Sequence, residues 1–261
     1  MISRELSKKA VFLIYVLASA IVIFTIITVS YPYLAGLGSL DKVIEAIKSV
    51  RILTALWLSF SSAIVTTILA VILGVPLAYL FAMKEFKGKT LLETLVIDVP
   101  QTFPPIAEGM IFLLLLGPQS PIGLNLAFTF WALVIAKFFI AAPFTVSFVA
   151  RKFREIKNTE LDLTARTLGA TPFQVFTTVL IPLSKNDIIA GSALCWARAM
   201  GELGGSLLFA GVITGKTETI PTFVANEANT LTTAALAATI LAVTASTLAL
   251  VSFKKLNQKE D

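Results

Sequence analysis

Arg198 and Glu202 are spaced i and i+4 inside an otherwise apolar run, where ionisable side chains are costly and so mark candidate functional positions. On one helix they can pair along its face. Alternatively, an arginine turned toward a polar cavity attracts an anion. A second apolar run is interrupted by Pro100-Gln101-Thr102-Phe103-Pro104-Pro105, with Glu108 just beyond. Non-helical backbone at membrane depth is tolerated where protein or water covers it, so Gln101, Thr102, Pro104 and Glu108 are pathway candidates; a simple proline kink is the competing reading. Lys137 lies in a third apolar run, with Asp98 or Glu108 as its possible partner. Gly201-x-x-x-Gly205, with Gly204, Ser206, Ala210 and Gly211 nearby, allows close helix approach, whether for packing, for a gate, or for both.

Much chemistry is excluded. The chain has no histidine, which removes His-dependent triads, His-ligated metals and histidine pH switches. The single Cys195 forms neither an internal disulfide nor a zinc site. There is no Gly-x-x-x-x-Gly-Lys-Ser/Thr run to cradle ATP phosphates, and no serine-lysine or aspartate pair at matched depth for an intramembrane enzyme.

The elements that must position these residues follow from composition. Of 261 residues, 56% are hydrophobic and only 14% charged, about half the charge of a soluble surface. The expected fold is an all-α integral membrane protein, a single domain over residues 1–261. At about 20 apolar residues per crossing, six spans are expected, near 10–29, 53–83, 91–116, 126–150, 188–212 and 231–253. The first is too long for a signal-peptide core and lacks a small-x-small cleavage site, so it reads as a retained anchor.

Charge sets the orientation. Fifteen of the 21 basic residues fall on one side: Arg4, Lys8 and Lys9; Lys84, Lys87 and Lys89; Arg151, Lys152, Arg154, Lys157, Arg166 and Lys185; and Lys254, Lys255 and Lys259. Both termini are thereby expected in the cytoplasm, and the net charge of +5 is a topology signal that requires no nucleic acid. The outer loops, residues 31–52, 117–125 and 213–230, leave no room for a folded domain. In the first, Lys42, Lys48 and Arg51 with Asp41 and Glu45 suggest a short surface helix.

The sizeable inner segment is residues 151–187. Asn158 or Thr159 can cap a short helix, with Asp162 in its first turn. Leu161, Ala165 and Leu168 share a face at i, i+4 and i+7. Gly169 supplies a stop, and Thr171-Pro172 starts a second helix that carries Phe173, Phe176, Val179 and Leu180 and ends at Pro182. This hairpin either lies on anionic headgroups or meets a soluble partner.

The run Ala165-Arg166-Thr167-Leu168-Gly169-Ala170-Thr171-Pro172, followed by Val179-Leu180-Ile181-Pro182, resembles the EAA loop of binding-protein-dependent ABC importer permeases. Leu163 and Thr164 stand where that motif has its glutamate and first alanine. The proline run before Gly109, and Ala197-Arg198-Ala199-Met200-Gly201-Glu202-Leu203-Gly204 continuing to Phe209-Ala210-Gly211, are similar to the molybdate, tungstate and sulfate branch. The resemblance implies a type I importer fold of six helices in a cell membrane, with two copies forming the path. It also implies an extracytoplasmic binding protein and two ATP-binding subunits that use ATP and Mg, with no cofactor on this chain. The docking residues it implies are Glu160, Leu161, Asp162, Thr164, Ala165, Arg166, Thr167, Leu168, Gly169, Ala170, Thr171 and Pro172. A sulfate or thiosulfate permease, or an ATP-independent carrier of six spans, are the rival readings.

Overall fold

Ser49 and Thr129 open the two helices around which the chain is built. A computed structural model describes residues 8–228 and 232–258; Arg4, Lys259 and the expected start of the last span at Leu231 lie outside them. The hydroxyl of Ser49 accepts from the Ile52 amide at 3.4 Å and begins α3 (Val50–Met83). Thr129 does the same for Ala132 at 3.3 Å and begins α6 (Phe130–Asn158). At 34 and 29 residues, they run for about 51 and 44 Å, well beyond a hydrocarbon layer of roughly 30 Å. Two-thirds of the most apolar stretch of α6 is buried inside the chain, which makes it the central helix.

Close packing against α6 depends on small residues. A Cβ at Gly74 of α3 would meet Val146 at 3.0 Å, and one at Gly191 of α9 (Lys185–Met200) would meet Phe148 and Thr145 at 3.1 and 3.2 Å. Backbones thus approach where side chains are absent, the usual device where lipid removes a hydrophobic drive between helices. Ala63, Ala70, Ile140, Ala141, Cys195 and Trp196 fill the middle of this bundle.

Around it lie α1 (Lys8–Leu37), α2 (Leu40–Ile47), α10 (Ile220–Glu227) and α11 (Thr233–Gln258). The most apolar stretch of α1 is uncovered by the rest of the chain, so its solvent is the bilayer or another molecule. α1 runs past the expected end at residue 29 to Leu37, and its hydroxyls are satisfied within the helix: Ser30 donates to Ile26 O at 2.7 Å and Thr28 to Phe24 O at 2.8 Å. The surface helix expected in the first outer loop is α2, with Val43 turned inward against Ala237 and Ala238.

Two expected spans depart from straight crossings. Residues 91–116 form α4 (Lys89–Thr102) and α5 (Pro105–Leu116), bent by 116°. Phe103 and Pro104 each precede a proline, which disfavours the helical region, and both are extended, with ψ of 136° and 119°. The bend is far more than a proline kink. Residues 188–212 are likewise not one helix: α9 ends at Met200, and a π-helical turn follows at Ser206–Ala210 before Gly211, which takes φ 70°. Four helices are long and apolar enough to cross a membrane, or five with the bent pair taken as one span, among the described residues.

The expected outer loop at 213–230 contains a short helix. It folds inward as α10, with Ile220, Thr222 and Phe223 buried and the Ile220 amide donating to Ser59 Oγ at 2.8 Å.

Candidate functional site

The two helix breaks pack against each other. A Cβ at Gly204 would fall 2.6 Å from Pro105 Cβ and 2.8 Å from its carbonyl carbon. One at Gly109 would meet Gly205 Cα and O at 3.0 Å, and one at Gly205 would meet Glu108 Oε1 at 2.9 Å and Ala136 Cβ at 3.1 Å. Gly204, Gly205 and Gly109 therefore bring the first turns of α5 and the 204–210 segment into backbone contact within one chain. Gly201 belongs to no such contact: it is exposed, with only its own helix's carbonyls nearby, at 3.9 Å. The Gly201-x-x-x-Gly205 spacing is thus not a single packing face.

Glu202 explains how the chain restarts after Gly201. Its Oε1 accepts from the Gly205 amide at 2.8 Å, its Oε2 from the Ser206 amide at 3.0 Å, and the Ser206 hydroxyl also donates to Oε2. The carboxylate satisfies the orphan donors of a new helical turn, the task of an N-cap. The expected i,i+4 pair with Arg198 is not formed, because α9 stops at Met200 and the carboxylate turns forward instead. Lys137 is likewise corrected: it is fully buried, and its ammonium donates to Ser62 Oγ at 2.7 Å and to Ser59 O at 3.3 Å, with neither Asp98 nor Glu108 as partner.

On the open side of the first break, Gln101, Thr102 and Pro104 are exposed. Gln101 Nε2 donates to Ile97 O at 2.7 Å and Thr102 Oγ1 to Val99 O at 3.1 Å, so both side chains fold back on α4. Glu108 lies on the other side, 1% exposed.

The second candidate surface is the hairpin of α7 (Leu161–Thr167) and α8 (Pro172–Leu183). Its first cap differs from expectation. Neither Asn158, which lies in α6, nor Thr159 caps it; Glu160 does so by adopting φ 59°, without a side-chain hydrogen bond. The Thr164 hydroxyl returns to Glu160 O at 3.1 Å and that of Thr167 to Thr164 O at 2.8 Å. At the turn, Gly169 takes φ 91°, its amide donates to Arg166 O at 2.9 Å, and the Ala170 amide donates to Ala165 O at 3.0 Å. That pairing is a Schellman stop, which needs a left-handed residue best supplied by glycine. Thr171 and Gln174 then form a reciprocal capping box, at 2.8 and 3.2 Å, with Pro172 in the first turn.

The stripe of Leu161, Ala165 and Leu168 divides between two sides. Ala165 and Ala170 rest on a buried base of Phe153, Ile156, Val175 and Leu180, with Asp162 and Arg166 half-buried beside them. Leu161 and Leu168 face outward. Leu168 is 85% exposed and Phe173 73%, so the tip is a rigidly capped turn carrying uncovered apolar side chains. Pro182 does not end the second helix: a π-helical turn at Phe176–Leu180 widens it just ahead of the proline, and the helix reaches Leu183. The same arrangement, a π-helical turn at Thr94–Asp98, precedes Pro100.

The basic residues below the tip are engaged within the chain. Arg154 pairs with Glu93 of α4, Lys157 with Glu85 at 3.8 Å, and Arg151 with Asp187 at 3.9 Å. The hydrogen bond from Lys89, with the charges of Lys89, Lys157 and Arg154, holds the Glu85 carboxyl below its ordinary range. A further cluster joins residues far apart in sequence. Arg51 donates to both oxygens of Glu218, at 2.6 and 2.9 Å, and to Glu227 at 3.1 Å, and lies 4.8 Å over the Phe223 ring. Arg51 therefore serves α10 and not the surface helix with Asp41 and Glu45. No local spacing announces a pair separated by 167 residues.

An all-helical polytopic chain with paired helix breaks and a protruding capped hairpin is the architecture of a membrane transport subunit. The family described as the binding-protein-dependent transport system inner membrane component matches residues 70–260, and the chain belongs to that family. The putative molybdenum transport system permease protein YvgM of Bacillus subtilis is 34% identical over 186 residues, 68% of this chain and 81% of that relative. The sulfate transport system permease protein CysW of Synechocystis sp. is 30% identical over 258 residues, 94% of this chain and 93% of that relative. The probable transport system permease protein NifC of Clostridium pasteurianum is 31% identical over 171 residues, 63% of this chain; the chain spans 59% of its length. A crystal structure of a bacterial ABC transporter for the acidic polysaccharide alginate shares the fold, with a TM-score of 0.74 at 15% identity over 95% of this chain and 96% of that one.

Proposed function

We propose that this chain is the permease subunit of an ATP-driven importer of a tetrahedral oxyanion, molybdate or tungstate, in which two copies line the path. The likeness to YvgM over 81% of that relative carries the cargo reading. Sulfate is the second reading, favoured by the end-to-end likeness to CysW. Six crossings are completed by α1, α3, the α4–α5 pair, α6, α9 with the 204–210 segment, and α11, with both termini in the cytoplasm of a plasma membrane. The hairpin from Glu160 to Pro172 docks on an ATP-binding subunit through Leu161, Leu168 and the turn at Gly169; the exposure of Leu168 supports this. Two such subunits hydrolyse ATP with Mg, and an extracytoplasmic binding protein delivers cargo to the far end. Gln101, Thr102, Pro104, Gly201 and Arg198 border the path. Glu108, Glu202, Gly204, Gly205 and Ser206 form the packed contact behind it, where α5 meets the 204–210 segment.

The test is uptake of labelled molybdate by vesicles containing the permease, its ATP-binding subunits and the binding protein. ATP-dependent uptake that tungstate displaces more strongly than sulfate is expected. Preferential displacement by sulfate selects the second reading, and uptake without ATP identifies an independent carrier.

A further inference from the structure

Glu108 lies in the first turn of α5, and neither carboxyl oxygen meets a protein hydrogen-bond donor among the described residues. Burial is complete within the single chain, since only 1% of the residue is exposed. A Cβ on Gly205 would fall 2.9 Å from Glu108 Oε1, so the carboxyl occupies the space beside that glycine. Gly205 also donates its amide to Glu202 Oε1 at 2.8 Å, so two carboxyl groups flank one glycine. They are not equivalent, because Glu202 accepts three hydrogen bonds, from Gly205 and Ser206, and Glu108 accepts none among the described residues.

The charged groups facing this pair are Glu202 itself, Arg198 from α9 and Lys137 from α6. Arg198 acts on Glu108 through space without a hydrogen bond. The Lys137 ammonium is directed to Ser62 and Ser59 of α3. An ionised carboxylate buried without a donor is far more costly than a neutral acid, and two carboxyls sharing one site do not readily both ionise.

We propose that, of these two carboxyls, Glu108 carries a proton while α5 is packed on the 204–210 segment, where Glu202 alone accepts hydrogen bonds from the break. When the two breaks separate, Glu108 meets water and releases that proton to it, leaving a hydrated carboxylate. Separation is thereby linked to the loss of one proton, and its equilibrium shifts toward the open arrangement by at most tenfold per pH unit. The inference does not depend on which anion is carried.

The experiment is infrared spectroscopy of the complex with its ATP-binding subunits, with isotope-labelled carboxyls in this chain alone. A protonated-carboxyl stretch is expected at neutral pH, absent in Glu108→Gln, whose neutral amide keeps the shape of the acid. Should that variant fail to fold, the wild-type band must still vanish when the complex is unfolded at the same pH. Thermal stability of the wild type should fall with rising pH more steeply than that of Glu108→Gln. A folded wild type without the band, or a band that persists in folded Glu108→Gln, overturns the proposal whether or not molybdate is the cargo.

Discussion

Gly204 and Gly201, three residues apart, face opposite demands. A methyl group at Gly204 would collide with Pro105 at 2.6 Å, whereas one at Gly201 meets nothing closer than 3.9 Å. Overpacking at a backbone contact costs about 1–3 kcal/mol. Gly204→Ala should therefore lower the thermal midpoint of the purified chain and slow transport, while Gly201→Ala should leave the thermal midpoint close to wild type. Equal effects would mean that the backbone contact between the two breaks is not what demands glycine. Glu202 teaches a related lesson: its spacing from Arg198 suggests a helix pair, yet three donors on its C-terminal side take the carboxylate.

At the scale of elements, the hairpin separates a load-carrying base from a bare tip. Leu180 is fully buried beneath it and Leu168 is 85% exposed. Leu180→Ala should cost about 2–5 kcal/mol, seen as a lower unfolding midpoint. Leu168→Glu should change stability by no more than about 0.5 kcal/mol yet abolish co-purification with the ATP-binding subunit. Retained co-purification would remove the tip from the docking surface. Beside the base, Glu85 ties α3 to α4 and α6 through Lys89 and Lys157. Because its folded carboxyl is held below the ordinary range, its contribution is present above the unfolded value and is lost as pH falls through the folded one. Protection of the 84–93 amides from hydrogen exchange should weaken on acidification, and less so in Lys89→Met.

For the whole molecule, Arg51 closes the end opposite the hairpin by joining the start of α3 to both ends of α10. Glu218 is 1% exposed while Arg51 is partly open to solvent, so Arg51→Met would leave a buried carboxylate short of its partner, at roughly 1–3 kcal/mol. Glu218→Gln combined with Arg51→Met should recover part of that loss; no recovery would show that the pair is not coupled. The network continues inward, because Ser59 accepts from the Ile220 amide and its carbonyl accepts from Lys137. α3, α6 and α10 are thereby linked through buried polar contacts among Ser59, Ser62, Lys137 and the Ile220 amide.

Apolar run length determined, from the sequence by itself, that the chain is helical and membrane-spanning, since about 20 residues must satisfy their own backbone in lipid. The punctuation at the turn of the hairpin, though not at its two outer ends, was equally legible: Gly169, Thr171 and Pro172 act through bonds within a few residues of themselves. Leu168 and Ala165 had the same helical phase, and only the packed base decided which of them is covered. The magnitude of the bend at Phe103-Pro104, the interruption after Met200, the inward fold of α10 and the partners of Glu202, Lys137 and Arg51 were likewise tertiary decisions. Each depends on a donor, a carboxylate or a glycine surface brought close by helices distant in sequence, which no local spacing encodes.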